Sequence, residues 1–471
     1  MSPPVRTPPA VIDCGAMTER SFDVVIIGAG AAGEVCAGRL ADGGLEVAIV
    51  EQHLVGGECS FYACMPSKAL LRPAQALAEV RRVPGATEGA TGDLDVEAVL
   101  RRRDKAAHDF SDDEQLPWLE DRGIALIRDH GRLTGEREVQ VRDETLTARL
   151  AVVIATGTTA AIPPIPGLRE AQPWTNREAT AAHAVPASLV VLGGGTSGIE
   201  LADAFASLGS EVTVLEATPS LLGREEPFAG EEVAAALTER GVDVRAGTKA
   251  IAVRREDGVV TVELEDGSTV AADEILVAVG RRPHTDDLGI EAFGLEPGEP
   301  VEVDDTLRVP GHEWLYAIGD VNGRVLLTHM AKYQGRLAAD HIRGREVPLR
   351  SDGALSPRVT FTEPQVAAVG HTLASALEAG IQARAVDVAT EANAGGSFVG
   401  KGAPGTSRII VDERRRVIVG ATFTGVEVAE ALHAATIAVV AEVSIDDLWH
   451  AVPSFPTRSE IWLKLLEKYG L

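Results

Sequence analysis

The chain has 471 residues, 45% of them hydrophobic and 24% charged, which predicts a globular protein of two to four domains. Its net charge of −26 is spread along the chain and argues against nucleic acid or an anionic membrane surface as a partner, because both would repel it. No run of about 18 apolar residues occurs, so no membrane-spanning helix is expected, and four cysteines, at 14, 36, 59 and 64, are too few for a secreted disulfide scaffold.

Residues 1–17 are proline-rich and lack the apolar centre of a signal peptide. They are expected to form a disordered extension, with Met17 a candidate natural start, Cys14 incidental and the cytoplasm the default compartment. The ordered chain opens on a buried-strand run, Phe22 to Ile27, which leads into Gly28-Ala-Gly30-Ala-Ala-Gly33 and a helical pattern through Leu40. A second strand, Glu46 to Val50, ends in Glu51, 23 residues after Gly28. Strand, glycines, helix, strand and acid together form the dinucleotide fingerprint. The glycines let the backbone approach a pyrophosphate, the helix N-terminus offers free N–H groups, and Glu51 would accept hydrogen bonds from a ribose 2′-OH.

Cys59 and Cys64 follow directly, ahead of Met65-Pro66-Ser67-Lys68. In a cysteine-poor chain and next to a nucleotide turn, the pair reads as a working dithiol. Metal ligands or inert thiols are the alternative, but this spacing without a further Cys or His cluster makes a poor zinc site, so no metal is expected. Cys36, on the first helix, reads as core packing.

The fingerprint recurs. Ser188 to Leu192 is a strand followed by Gly193-Gly-Gly195-Thr-Ser-Gly198 and a helix carrying Glu200. A strand from Glu211 to Leu215 then ends at Glu216, again 23 residues after the first glycine. Two such units suggest two dinucleotides, one passing electrons to the other. A 2′-phosphate on the second would face the Glu216 carboxylate, so NADH is favoured over NADPH, with Arg224 the one nearby cation that could blunt the preference.

From about Asp23 to Glu460 the chain resembles the class I pyridine nucleotide–disulfide oxidoreductases, which include lipoamide dehydrogenase, glutathione reductase and mercuric reductase. Further motifs carry the resemblance: Ala155-Thr156-Gly157, Gly280-Arg281-Arg282-Pro283, Tyr316-Ala-Ile-Gly-Asp320-Val321, and Val359 to Pro364 with Val369-Gly370. The resemblance implies FAD in the first site, where Thr156, Gly157 and Asp320 would join Gly28, Gly30, Gly33, Glu51 and Lys68. It implies a nicotinamide cofactor in the second, against Gly193, Gly195, Gly198, Glu216 and Gly280. It also implies a homodimer whose active sites borrow C-terminal residues from the partner. Cys64 would be the flavin-facing thiol, Cys59 the outer thiol that exchanges with substrate, and Lys68 would pair with Glu200.

The fold implied is α/β, with two Rossmann-like dinucleotide-binding domains and an α+β C-terminal dimerisation domain. An FAD domain is expected over 18–160 and 285–350, an NAD(P)H domain over 161–284, and an interface domain over 351–471.

One position departs. Where lipoamide dehydrogenase and glutathione reductase carry a proton-transferring His before Pro-Thr, this chain has Phe455, with Pro456, Thr457 and Glu460 retained. His450 lies five residues too early to be in register. Ordinary disulfides should therefore turn over slowly, since a positioned acid–base contributes roughly 10²–10⁴ in rate. The 2-ketopropyl-coenzyme M carboxylase also has Phe at this position but a His where Glu460 stands, and the soluble transhydrogenase has a similar Phe-Pro-Thr without the dithiol. No Cys follows position 64, so the second cysteine pair of mercuric reductase is missing. Gln365, Ala63 and His284 also differ from many relatives, without a clear functional meaning.

The primary expectation is an NADH-dependent FAD enzyme acting on a small disulfide through Cys59 and Cys64. The alternatives are a dithiol-dependent carbon–sulfur-cleaving or carboxylating enzyme, a diaphorase or transhydrogenase, or a non-catalytic redox sensor.

Overall fold

The computed structural model describes residues 18–471, so the expected extension over 1–17 lies outside the described residues. Three sheets organise the chain. The first contains β1 (Thr18–Ile27) and β2 (Val47–Glu51), and its core runs in parallel through His312–Ala317, Glu144–Ile154, β1, β2 and Ala125–Arg128. β1 begins four residues before the apolar run because its polar start pairs with the start of Glu144–Ile154, ahead of a register shift between Phe22 and Val24. Both faces of this sheet are covered, which explains the unbroken apolar run at Val24–Ile27. Helix α1 (Ala31–Ala41) lies on one face, with Cys36 wholly buried beneath it.

The second sheet is parallel throughout and ordered Asp243–Ala246, Glu211–Glu216, Ser188–Leu192, Glu274–Val277. It repeats the first in miniature. In the first turn a Cβ on Gly28 would sit 2.4 Å from Ala155 O; in the second, one on Gly193 would sit 2.5 Å from Ala278 O. The same duplication brings a Cβ on Gly33 to 2.0 Å from Gly28 O and one on Gly198 to 2.0 Å from Gly193 O. Only glycine fits these close approaches of helix to strand.

The third sheet is antiparallel with five strands, Arg358–Thr360, Gln365–Gly370, Val417–Gly425, Thr406–Asp412 and Ala383–Ala389. Helices Leu432–Val440 and Ile461–Tyr469 cover one face through Leu432, Ala435, Leu465 and Leu466. No helix among the described residues is long and apolar enough to cross a membrane.

Candidate active site

The first nucleotide turn and the dithiol are built as one unit. Gly56, at φ 112°, and Gly57, at φ 59°, turn the chain sharply after β2, and a Cβ on Gly57 would lie 2.9 Å from Gly30 Cα. Gly56 N donates to Ala29 O at 2.8 Å, and Gly30 and Gly56 form a β-bridge. Two helical segments follow: the short α2 (Gly57–Phe61), which carries Cys59, and the long α3 (Cys64–Arg82), which begins at Cys64. Pro66 falls within the first turn of α3, where a missing N–H removes no helical bond.

Cys64 therefore lies in the positive end of a 19-residue helix. Its Sγ is 3.2 Å from Thr328 Oγ1, which belongs to the helix Thr328–Ile342. The hydrogen bond from Cys59 lowers the Cys64 pKa to about 6; burial and Glu200 oppose the shift, while Thr328 and the Lys68 charge reinforce it. Cys59 moves the other way: sharing its proton with Cys64 and burial both push it up. The two thiols are thus unequal, with the inner one held as thiolate.

One turn beyond Cys64, Lys68 Nζ lies 2.6 Å from Glu200 Oε2 and 4.8 Å from the Phe361 ring centroid. Glu200 is 3% exposed and accepts from Phe361 N at 2.9 Å through its other oxygen. A residue from each nucleotide unit and one from the C-terminal sheet region thus meet beside Cys64.

Glu58, immediately before Cys59, is the main residue that sequence reasoning missed. Its carboxylate accepts from Asn176 Nδ2 at 2.8 Å, from Arg281 Nη2 at 3.0 Å, and from Arg177 Nε. Burial works against its ionisation, but the Arg281 and Arg177 guanidiniums prevail and hold it below the usual carboxylate range. Arg281 continues to Thr158 Oγ1 at 2.6 Å, and Thr158 Oγ1 donates to Asp320 Oδ2 at 3.1 Å. Burial raises the Asp320 pKa, with Arg281 and Thr158 offsetting part of the shift. The Gly-Arg-Arg-Pro motif was visible in the sequence, but no spacing rule joins it to Glu58.

Gly28, Gly30, Glu51, Thr156, Gly157, Asp320, Glu58 and Cys59 all line one elongated cleft, together with His284 and Thr328. The cleft offers the helix N-terminus at Ala31 to an anion at one point and the dithiol at another, and at Gly30 the turn leaves open space where backbone can meet a ligand. These residues fit FAD. Gly33 packs against Gly28 O behind the turn, and Lys68 lines a second pocket with Met65, Arg72 and Phe361. Glu51 Oε2 accepts from Ala29 N at 2.7 Å and its Oε1 from His53 N at 2.7 Å. Glu216 copies this pattern, taking Gly194 N at 2.6 Å and Thr218 N at 2.7 Å. Arg224 is exposed.

Phe455 is 77% exposed, and neither it nor Glu460 lines the cleft that holds Cys59. Glu460 Oε2 is buried without a hydrogen-bond partner. His450 ends the helix Ile445–His450 and is exposed.

A duplicated dinucleotide fold with an asymmetric dithiol beside the first glycine turn defines an oxidoreductase of the disulfide reductase class. Residues 22–335 match the family described as pyridine nucleotide-disulphide oxidoreductase, and residues 356–466 match that family's dimerisation domain. The chain belongs to the pyridine nucleotide-disulphide oxidoreductases, a family that uses FAD and a pyridine nucleotide. It is 32% identical over 461 residues to dihydrolipoyl dehydrogenase of Haloferax volcanii, covering 94% of this chain and 95% of that protein. Mercuric reductase of Staphylococcus aureus is 29% identical over 449 residues, covering 93% of this chain and 81% of that one. Among solved structures, the HOCl-induced flavoprotein disulfide reductase RclA of Escherichia coli aligns with a TM-score of 0.83 at 25% identity, over 95% of this chain and 99% of that one. LpdA of Mycobacterium tuberculosis gives 0.83 at 25% identity, over 96% and 100% of the two chains.

Proposed function

We propose that the protein is an NADH-dependent flavoprotein that passes electrons through the Cys59–Cys64 pair to a small disulfide. The observation carrying this reading is the inner thiol, with Cys64 at a helix N-terminus, 3.2 Å from Thr328 Oγ1 and one turn before the Lys68–Glu200 pair. Bound in the cleft, FAD would supply two-electron exchange between the nicotinamide and the dithiol, held there by the turn at Gly28 and Gly30, which Gly33 lets pack closely, by Glu51, Thr156 and Gly157, and by Asp320, with the Lys68–Glu200 pair near the inner thiol. The nicotinamide cofactor would lie on Gly193, Gly195, Gly198 and Gly280. Glu216 at the ribose end supports NADH, because a 2′-phosphate there would face a carboxylate.

In the oxidative half of the cycle, when the reduced dithiol meets its substrate, the chain's own groups divide the work. Cys59 sulfur attacks one sulfur of the substrate disulfide, forming a mixed disulfide and releasing the first thiol. Cys64 thiolate then attacks Cys59 sulfur, which restores the Cys59–Cys64 bond and releases the second thiol. The two leaving sulfurs take up two protons. The Cys59 proton passes by way of the Cys64 sulfur to one leaving thiolate, which returns Cys64 to the thiolate for its attack, and the second proton comes from solvent in place of the missing His. In the homodimer we infer, Phe455 and Glu460 of one subunit close the cleft of the other, with the cytoplasm as the reducing compartment.

Phe455 favours one competing reading, in which the dithiol attacks a carbon–sulfur bond and the phenyl ring keeps protons away. An anaerobic NADH titration of the FAD-loaded protein tests the primary reading. A long-wavelength band at two electrons per subunit, followed by oxidation with a small disulfide, is the expected result. Bleaching without that band would uncouple the cysteines and leave a diaphorase or transhydrogenase. The band without oxidation by any disulfide would favour carbon–sulfur chemistry.

A further inference from the structure

The helix Thr328–Ile342 turns one face toward the dithiol. Thr328 touches Cys64, Ala331 lines the cleft, and Lys332 lies one turn beyond Thr328 with its side chain exposed. The Lys332 ammonium is near enough to favour the thiolate of Cys59. Arg336 follows a further turn along, also exposed, its guanidinium 5.8 Å from the Tyr333 ring centroid. Positions 328, 332 and 336 keep the spacing that places side chains on one helix face.

The titratable groups of His329 and Asp340 on this helix are already engaged. His329 Nε2 lies 2.7 Å from Pro357 O, and Asp340 pairs with Arg39 at 2.6 Å. Neither Lys332 nor Arg336 has a carboxylate oxygen within 4.0 Å among the described residues, where Arg39 and Arg345 take Asp340. The acid that acts on Lys332 is Glu34 of α1. Burial pushes Glu34 up to about 7, against the pull of Lys332 and with the push of Glu51. Near neutral pH Glu34 is therefore only partly charged and a weak counter-ion. In a chain of net charge −26, Lys332 and Arg336 thus stand on this helix face as two cations without a carboxylate partner among the described residues.

We infer that Lys332 and Arg336 form a cationic approach to Cys59 that selects disulfides carrying acidic groups over neutral ones. This deepens the disulfide-exchange reading above and rests on it for the identity of the reaction. The charge of the approach can be measured without turnover. Dithiol-reduced holoenzyme would be alkylated with iodoacetate or iodoacetamide, and the rate at Cys59 read from the modified peptide. The ratio of the two rates cancels any change in thiolate population, because both reagents need the same thiolate.

Lys332→Gln should lower the iodoacetate-to-iodoacetamide ratio about fivefold, the Boltzmann equivalent of a unit charge at contact range in water. Lys332→Arg should preserve it, Arg336→Gln should add to the loss, and high salt should erase the difference. An unchanged ratio in the Lys332→Gln, Arg336→Gln double variant overturns the inference. Failure of both reagents to reach Cys59 also overturns it, since no approach would then exist. NADH-driven turnover of a carboxylated and an uncharged aromatic disulfide separates the two claims. A charge-dependent ratio without turnover of either disulfide refutes the disulfide reading and leaves the cationic approach standing.

Discussion

Phe455→His should raise NADH-dependent turnover of lipoamide by about 10²-fold. A positioned acid–base contributes roughly 10²–10⁴ in rate, and the structure decides where in that range the variant falls. Phe455 is 77% exposed in the single chain, so exchanging its ring costs little packing there. The turn that carries it is held by Thr457 Oγ1 donating to Ser454 O at 2.6 Å. Glu460 Oε2 is buried and unpartnered, an acceptor suited to orient an imidazole. A charge-assisted bond of that kind is worth about 1.5–3 kcal/mol, or roughly 10–150-fold. Phe455→His with Glu460→Gln should therefore keep only about a tenfold gain. The assay is steady-state NADH oxidation at matched FAD content, with a pH profile in which a new ionisation near the imidazole range marks the introduced base. No gain in the single variant, or an equal gain with Glu460→Gln, would refute the reasoning.

Three further outcomes are expected. In the two-electron-reduced enzyme the long-wavelength band should persist above pH 6 and fade as pH falls through about 6, because protonation removes the Cys64 thiolate; Thr328→Val should move that midpoint upward. Lys68→Met strands the Glu200 carboxylate, which is 3% exposed, and should lower stability by about 2 kcal/mol, less than a fully buried pair because the lysine side chain is 35% exposed. Adding Glu200→Gln should recover most of that loss in urea unfolding without restoring reduction by NADH, and equal stability of wild type and Lys68→Met would count against it. NADH should exceed NADPH in kcat/KM by at least about tenfold, and Glu216→Gln should narrow the gap while keeping the acceptor for Gly194 N; equal efficiency of the two nucleotides in the wild type would contradict the assignment.

What could be read from the sequence was whatever local sterics dictate. Gly28, Gly33, Gly193 and Gly198 mark places where a helix presses on a strand, and such constraints leave short ordered patterns. Cys59 and Cys64 were legible for the same reason, since one turn and one helix start place them, while Lys68 took its role from resemblance. Glu200 was reached through resemblance, as its distance from Lys68 spans two sheets. Glu58, Thr328 and Phe361 were not legible as site residues. Each acts through a contact made by chain segments far apart, and a lone Glu, Thr or Phe carries no spacing that announces such a contact. His284 looked like drift, yet it lines the cleft and its carbonyl accepts from Thr156 Oγ1 at 2.8 Å.

The exposure of Phe455 has a kinetic consequence. Val452 is 84% exposed and Phe398 70%, so a lone chain presents a run of apolar groups to water. In the proposed dimer these groups are covered, and a second chain completes the cleft. Specific activity would then follow mass action. Dilution below the subunit dissociation constant would remove turnover and expose adhesive surface together, and recovery on reconcentration would be second order in protein. Mixing a Cys59→Ser chain with a Phe455→His chain would yield hybrids in which one of the two clefts pairs an intact dithiol with wild-type Phe455 and the other pairs a dead dithiol with the introduced base. Mixing should then lower the activity of the Phe455→His chain, and activity unchanged on mixing would mean that the added base serves its own chain's cysteines.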